Sequence, residues 1–98
     1  MINIEKMELI SGILQVECEK IMKSQKAKYR YYRYAVMKIE RERGNSLNKI
    51  GAFFKRKHET VSNAIRQLEN LCYLDEIKQV EEAVRNAYKQ VEEADETN

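Results

Sequence analysis

Apolar residues recur at intervals of three and four through almost the whole chain, the spacing of amphipathic helices. Ile4, Met7, Ile10, Ile13 and Leu14 form the first such stripe, and Asn3 stands in front of it as a helix cap. After a break at Gln15 and Val16, Cys18, Ile21 and Met22 predict a short second helix. The period disappears over residues 23–28, KSQKAK, which read as a basic loop. A third helix is predicted from Tyr29 to Arg43, with Tyr32, Ala35, Val36 and Ile39 on one side, and Gly44 and Asn45 stop it.

Ser46 is a good cap for a short helix at 47–54, LNKIGAFF, with Leu47, Ile50 and one of Phe53 or Phe54 inward. The polar turn KRK leads into HETVSNAIRQLENL, where Val61, Ala64, Ile65, Leu68 and Leu71 keep helical spacing. A last amphipathic helix at 74–93 repeats Ile77, Val80, Val84, Ala87 and Val91, a stripe of heptad type. This stripe can pack on the first helix of the same chain or serve a coiled-coil dimer. Residues 95–98 are expected to fray. The fold class is therefore all-α: about six helices in one domain spanning 1–94.

Composition agrees with the pattern. The 98 residues include no proline and three glycines, too few for a protein built on hairpins and tight β-turns. No apolar run approaches the ~18–20 residues of a membrane span, so no membrane partner is expected. The opening MINIEKMELISG has early acids and no signal-peptide layout. Cys18 and Cys72 are too few and too far apart for a zinc motif, and they read as small buried hydrophobes with reduced thiols. The expected setting is cytoplasmic.

The formal charge of +2 conceals a segregation. Residues 1–19 carry one Lys and four Glu, while residues 75–98 carry three basic and eight acidic side chains. Between them, residues 20–66 carry fourteen Lys or Arg against three Glu, and no acid occurs from Lys20 to Ile39. A basic centre flanked by acidic segments points to a polyanionic partner for the centre alone.

Residues 46–71 give the sharpest signal: a capped short helix, a tight turn and a longer helix form a helix-turn-helix. Gly51 allows close approach of the second element. The longer helix opens with His58, Glu59, Thr60, Ser62 and Asn63, hydrogen-bonding types that a recognition helix presents to base edges. Glu59 also suits the positive end of a helix in its own right. In KYRYYRY, Tyr29 and Tyr32 share the spacing of Val36 and read as core, whereas Tyr31 and Tyr34 are free to reach a DNA backbone. No Ser-His-Asp set, paired carboxylates or glycine-rich cradle supports catalysis, so no enzyme activity and no cofactor are expected.

The stretch SLNKIGAFFKRKHETVSNAIRQLENL resembles the C-terminal DNA-binding domain, domain IV, of the bacterial replication initiator DnaA. Ser46, Leu47, Ile50, Gly51, Phe54, Arg56, His58, Thr60, Val61, Ala64, Arg66, Leu68 and Glu69 carry the resemblance. RYAVMKIERE upstream, with Arg33, Met37 and Ile39, resembles the helix that precedes the motif in that family, and ILQVECEKIMKSQK resembles its short helix and basic loop. Lys57 and Glu59 stand where the family has aspartate and threonine, which favours a different DNA sequence from the family's own site. No GxxxxGK[ST] phosphate loop is present, so no ATPase activity comes with the resemblance.

The resemblance implies a Trp-repressor-like fold whose second motif helix enters the major groove of double-stranded DNA. It implies base contacts from His58 and Thr60, a minor-groove contact from Arg33, and phosphate contacts from Arg41, Asn48 and Arg66. The residue pattern adds Lys57, Glu59 and Asn63 at the bases, and Lys28, Arg30, Lys49, Lys55, Arg56 and Ser62 at phosphates. The expected role is DNA binding with sequence preference in replication initiation or its regulation, or in transcription from a phage or mobile element. The rival is a helical adaptor that docks an acidic partner on its basic centre and dimerises, or binds a partner protein, through its last helix.

Overall fold

A computed structural model describes residues 1–96. Helix α1, Ile4–Leu14, starts where the Asn3 side chain accepts the Lys6 backbone N–H at 2.8 Å. It ends where Gln15 turns left-handed (φ 58°) and the Val16 N–H returns to the Ser11 carbonyl. Helix α2, Cys18–Lys23, and helix α3, Ala27–Glu42, follow. Helices α4, Leu47–Phe54, and α5, His58–Asn70, make the helix-turn-helix, and α6, Asp75–Glu96, closes the chain. All six elements are helices, and the described residues hold no strand.

α3 is the hub, packing on α2, α4, α5 and α6, while α1 lies against α2 and α6. One core joins Met7 and Ile10 of α1, Ile21 of α2, Val36 and Met37 of α3, Ile50 and Phe54 of α4, Val61 and Leu68 of α5, and Val84 and Val91 of α6. Burial of such side chains contributes about 1.5–3 kcal/mol each. The stripe of α6 is covered by α1 and α3, with Ile77, Val84, Ala87 and Val91 buried and Val80 half-buried.

Four expectations are corrected. Ile4 and Ile13 lie at the margins of α1, 51% and 39% exposed. Nine residues at 100° each leave them half a turn apart, so one buried face cannot hold both. The basic loop shrinks to residues 24–26 because α3 begins at Ala27. Its first turn, Ala27 and Lys28, is solvent-exposed, and good helix formers there need no apolar period. Cys72 is exposed, beyond the end of α5, and Cys18 is half-buried, so neither is a core residue. The last helix extends to Glu96, past the expected end at residue 93; residues 97 and 98 of the expected tail lie outside the described residues.

Ion pairs fasten α6 across the C-terminal half of α3. Lys38 meets Glu81 at 2.9 Å, Arg85 grips Glu42 through two hydrogen bonds of 2.8 and 2.9 Å, and Glu92 takes both Arg43 and Lys6. Beneath them the Glu40 carboxylate is buried but satisfied. It accepts from the Tyr88 hydroxyl at 2.7 Å, the Asn45 amide at 2.9 Å and the Ile2 backbone N–H at 3.1 Å.

Candidate nucleic-acid interface

Ser46 caps α4 by accepting the Lys49 N–H at 3.1 Å. α4 ends in a paired-bond turn: the Arg56 N–H donates to the Gly51 carbonyl at 2.8 Å and the Lys55 N–H to the Ala52 carbonyl at 3.2 Å. Lys55 takes the left-handed conformation (φ 56°) that such a turn requires. The turn folds so tightly onto α4 that a Cβ on Gly51 would stand 2.4 Å from the Arg56 carbonyl oxygen. The glycine therefore admits the turn itself, which in turn sets the angle at which α5 leaves.

α5 buries Val61, Ala64 and Leu68 against α3 and α4. The opposite side leaves His58, Glu59, Thr60, Asn63 and Arg66 exposed. Lys57, at the N-cap, makes no side-chain capping bond, so the first-turn N–H groups of α5 keep their positive end unneutralised by a cap. His58 and Glu59 meet at 3.4 Å, both exposed. Five of the six residues predicted at bases, Lys57, His58, Glu59, Thr60 and Asn63, thus form one exposed group at the start of α5.

Arg33, the sixth, is placed differently. It is 2% exposed, and its Nη1 donates at 3.0 Å to both the Ile21 and the Ser24 carbonyls. It ties the end of α2 to α3 and does not present its guanidinium at the surface, which corrects the minor-groove expectation. Burial, and next the Arg56 charge, hold its pKa below the ordinary arginine value. The spacing already places Arg33 with Val36, Met37 and Glu40 on the buried side of α3; residue type alone argued the opposite.

The predicted phosphate residues fall into groups. Arg41, Ser62, Arg66 and the acidic Glu69 line one notch of about 280 Å³ where α3, α4 and α5 meet. Asn48 and Lys49 are exposed on the first turn of α4, and Lys55 and the half-buried Arg56 occupy the turn before α5. Lys28 is exposed at the start of α3, its ammonium 5.7 Å from the Tyr29 ring centre, while Arg30 is half-buried. The tyrosines do not divide into core and surface: Tyr29, Tyr31, Tyr32 and Tyr34 are all half-buried, and Tyr31 and Tyr34 meet edge to face at 6.0 Å. Lys26, which belongs to the basic segment 23–28 but is not singled out there, is exposed in the short loop before α3.

Electrostatics distinguishes the two sides of the molecule. Among the described residues, no ion pair involves Lys26, Lys28, Arg30, Arg33, Arg41, Lys49, Lys55, Arg56, Lys57 or Arg66. The acids of α6 that do pair are used on Lys6, Lys38, Arg43 and Arg85, at the far end of α3. No helix of the described residues is long and apolar enough to cross a membrane, and no cluster of His, Cys, Asp and Glu among them could hold a metal ion. Comparison of the chain with protein-family models, with curated proteins and with solved structures finds no match.

Proposed function

We propose that this chain binds double-stranded DNA with sequence preference through α4 and α5, as a counterpart of DnaA domain IV in replication initiation or its regulation. One observation carries the reading: the exposed start of α5 is flanked by lysines and arginines that have no carboxylate partner among the described residues, whereas the basic residues facing α6 are neutralised. A major groove about 12 Å wide admits a helix, and the exposed His58, Thr60 and Asn63 are suited to base edges. The notch of Arg41, Ser62 and Arg66 and the lysines of the turn are suited to the phosphates on either side. A role in transcription from a phage or mobile element uses the same chemistry. The chain is proposed to act by binding, with no catalysis and no cofactor.

The adaptor reading has less behind it, since the apolar stripe of α6 is already covered by α1 and α3. Selection from random duplex oligonucleotides tests the proposal. A recurrent site is expected, with affinity falling at a log–log salt slope near −5 if about six phosphates are contacted. Duplex binding that shows no enriched site and yields equally to any polyanion would favour the adaptor.

A further inference from the structure

The outer ridge of α5 carries an acid where a surface proposed to meet DNA has most reason to exclude one. At about 100° per residue, Glu59 lies within about 10° of the line directly opposite the buried Val61, Ala64 and Leu68. His58 and Thr60 fall about a quarter turn to either side of that line, and Asn63 follows Glu59 one turn along the exposed side. An α5 that enters a groove with its exposed side inward therefore presents Glu59 foremost, ahead of its two neighbours.

Within the chain this carboxylate is unspent. Its side chain is 71% exposed, and its one contact among the described residues is with His58, whose Nε2 stands 3.4 Å from Oε1. That contact leaves Oε2 open, and Glu59 caps no backbone N–H of the first turn. It pairs with no lysine or arginine among the described residues, although Lys55, Arg56 and Lys57 directly precede His58.

Against a duplex such a group is costly. The phosphates repel it, and a carboxylate pressed into a groove loses its water unless a donor replaces it. An ionised carboxylate accepts hydrogen bonds and donates none. In the major groove guanine shows two acceptors, and thymine an acceptor and a methyl group, whereas cytosine shows the N4 amino donor. Adenine sets its N6 amino group beside the N7 acceptor, an edge that matches an amide such as Asn63 and opposes the second oxygen of a carboxylate.

We propose that Glu59 reads one cytosine, accepting from its N4 amino group, and thereby rejects guanine and thymine at that position. The proposal rests on the DNA-binding reading and adds to it one letter of the preferred site.

Selection from random duplex oligonucleotides tests it, run on the whole wild-type chain, on Glu59→Ala and on Glu59→Gln, with thermal unfolding of all three alongside. The wild type is expected to favour cytosine at one position by about tenfold or more over guanine and thymine. Glu59→Ala is expected to lose that preference. Glu59→Gln is expected to exchange it for adenine, whose N6 and N7 a glutamine amide matches, with the rest of the site retained. A site that is the same in all three chains overturns the proposal and leaves the DNA reading standing. Glu59 then serves α5 alone through the helix dipole, a role that a lower Tm in both variants would report. A responsive position that holds any base other than cytosine in the wild-type site overturns the proposal as well. No enriched site for the wild type refutes the sequence-preference reading itself, and this proposal with it.

Discussion

The hydroxyl of Tyr88 donates to the carboxylate of Glu40 at 2.7 Å, joining α6 to α3 inside the core. Burial, and then this bond, keep the phenol of Tyr88 protonated well above its ordinary range. Removing the donor leaves a buried carboxylate with one partner fewer. Tyr88→Phe is therefore expected to lower stability by about 1.5–3 kcal/mol, the range for hydrogen bonds to charged groups. Urea unfolding measures it. Spectrophotometric titration gives a second readout: the phenol of Tyr88 is expected to ionise only on unfolding in the wild type, and that step is expected to be missing in Tyr88→Phe.

Glu92 predicts the acid behaviour. Its contact with Arg43, assisted by Lys6, holds its carboxyl down at about 2, against an ordinary 4.5. The unfolded chain thus binds this proton more readily than the folded one. The contribution of the pair is fully present above about pH 4.5 and is lost as pH falls from there toward 2. Glu42, lowered by its hydrogen bonds with Arg85, acts in the same direction. Glu92→Gln is expected to flatten the fall of stability between about pH 5 and pH 2 in urea titrations. An unchanged slope would mean that the ion pair does not form in solution.

Much of the architecture is legible in the sequence because it is local. Ser46, Ile50 and Phe54 mark the limits and inner face of α4 without reference to any distant residue. The exposed start of α5 follows from Val61, Ala64 and Leu68 occupying its other side. The misplacements have a common origin in contacts made over long sequence distances. Ile4 and Ile13 are the exception, since half a turn of α1 separates them and the helical period itself keeps them off one buried face. Glu40 and Arg33 are polar at core positions because Tyr88 and Asn45, or Ile21 and Ser24, supply their partners. Residue type places such side chains outside until those partners are known. The grouping of Arg41 with Ser62 and Arg66 likewise needs the fold.

Gly51 is expected to be intolerant of even one methyl group. Alanine would gain up to about 1 kcal/mol of helix propensity, but its Cβ would lie 2.4 Å from the backbone carbonyl of Arg56. The obstacle is backbone and cannot rotate away, so the turn must open. Overpacking of this kind costs about 1–3 kcal/mol, and Gly51→Ala is expected to come out net destabilising in thermal unfolding. It should also weaken duplex binding, because the turn sets how α5 is presented. A more stable Gly51→Ala chain would show that the turn is looser than this packing.

Lys57 separates stability from binding. It is the N-cap of α5 without a capping bond, so the helix start lacks an acceptor that aspartate would supply. Lys57→Asp is expected to raise stability by about 1 kcal/mol through the cap, with some help from the dipole. The same change places an anion at a helix start proposed to meet DNA, where the backbone phosphates repel it, so duplex affinity is expected to fall at all sequences alike. Stability and affinity moving in the same direction would count against a phosphate near this helix start.

The base-reading assignment is tested by comparing a selected duplex with a random one. His58, Thr60 and Asn63 are exposed at the start of α5, and none has a hydrogen bond to the rest of the fold in the described contacts that its loss would disrupt. His58→Ala and Thr60→Ala are therefore expected to leave stability nearly unchanged and to reduce the preference for the selected site by about 1–3 kcal/mol. Lys49→Ala, on the first turn of α4, is expected to weaken both duplexes equally and to lower the salt slope by about one. The contrast between these two outcomes carries the assignment. If all three variants weaken both duplexes equally, α5 binds backbone alone, and the preference must come from the deformability of the DNA.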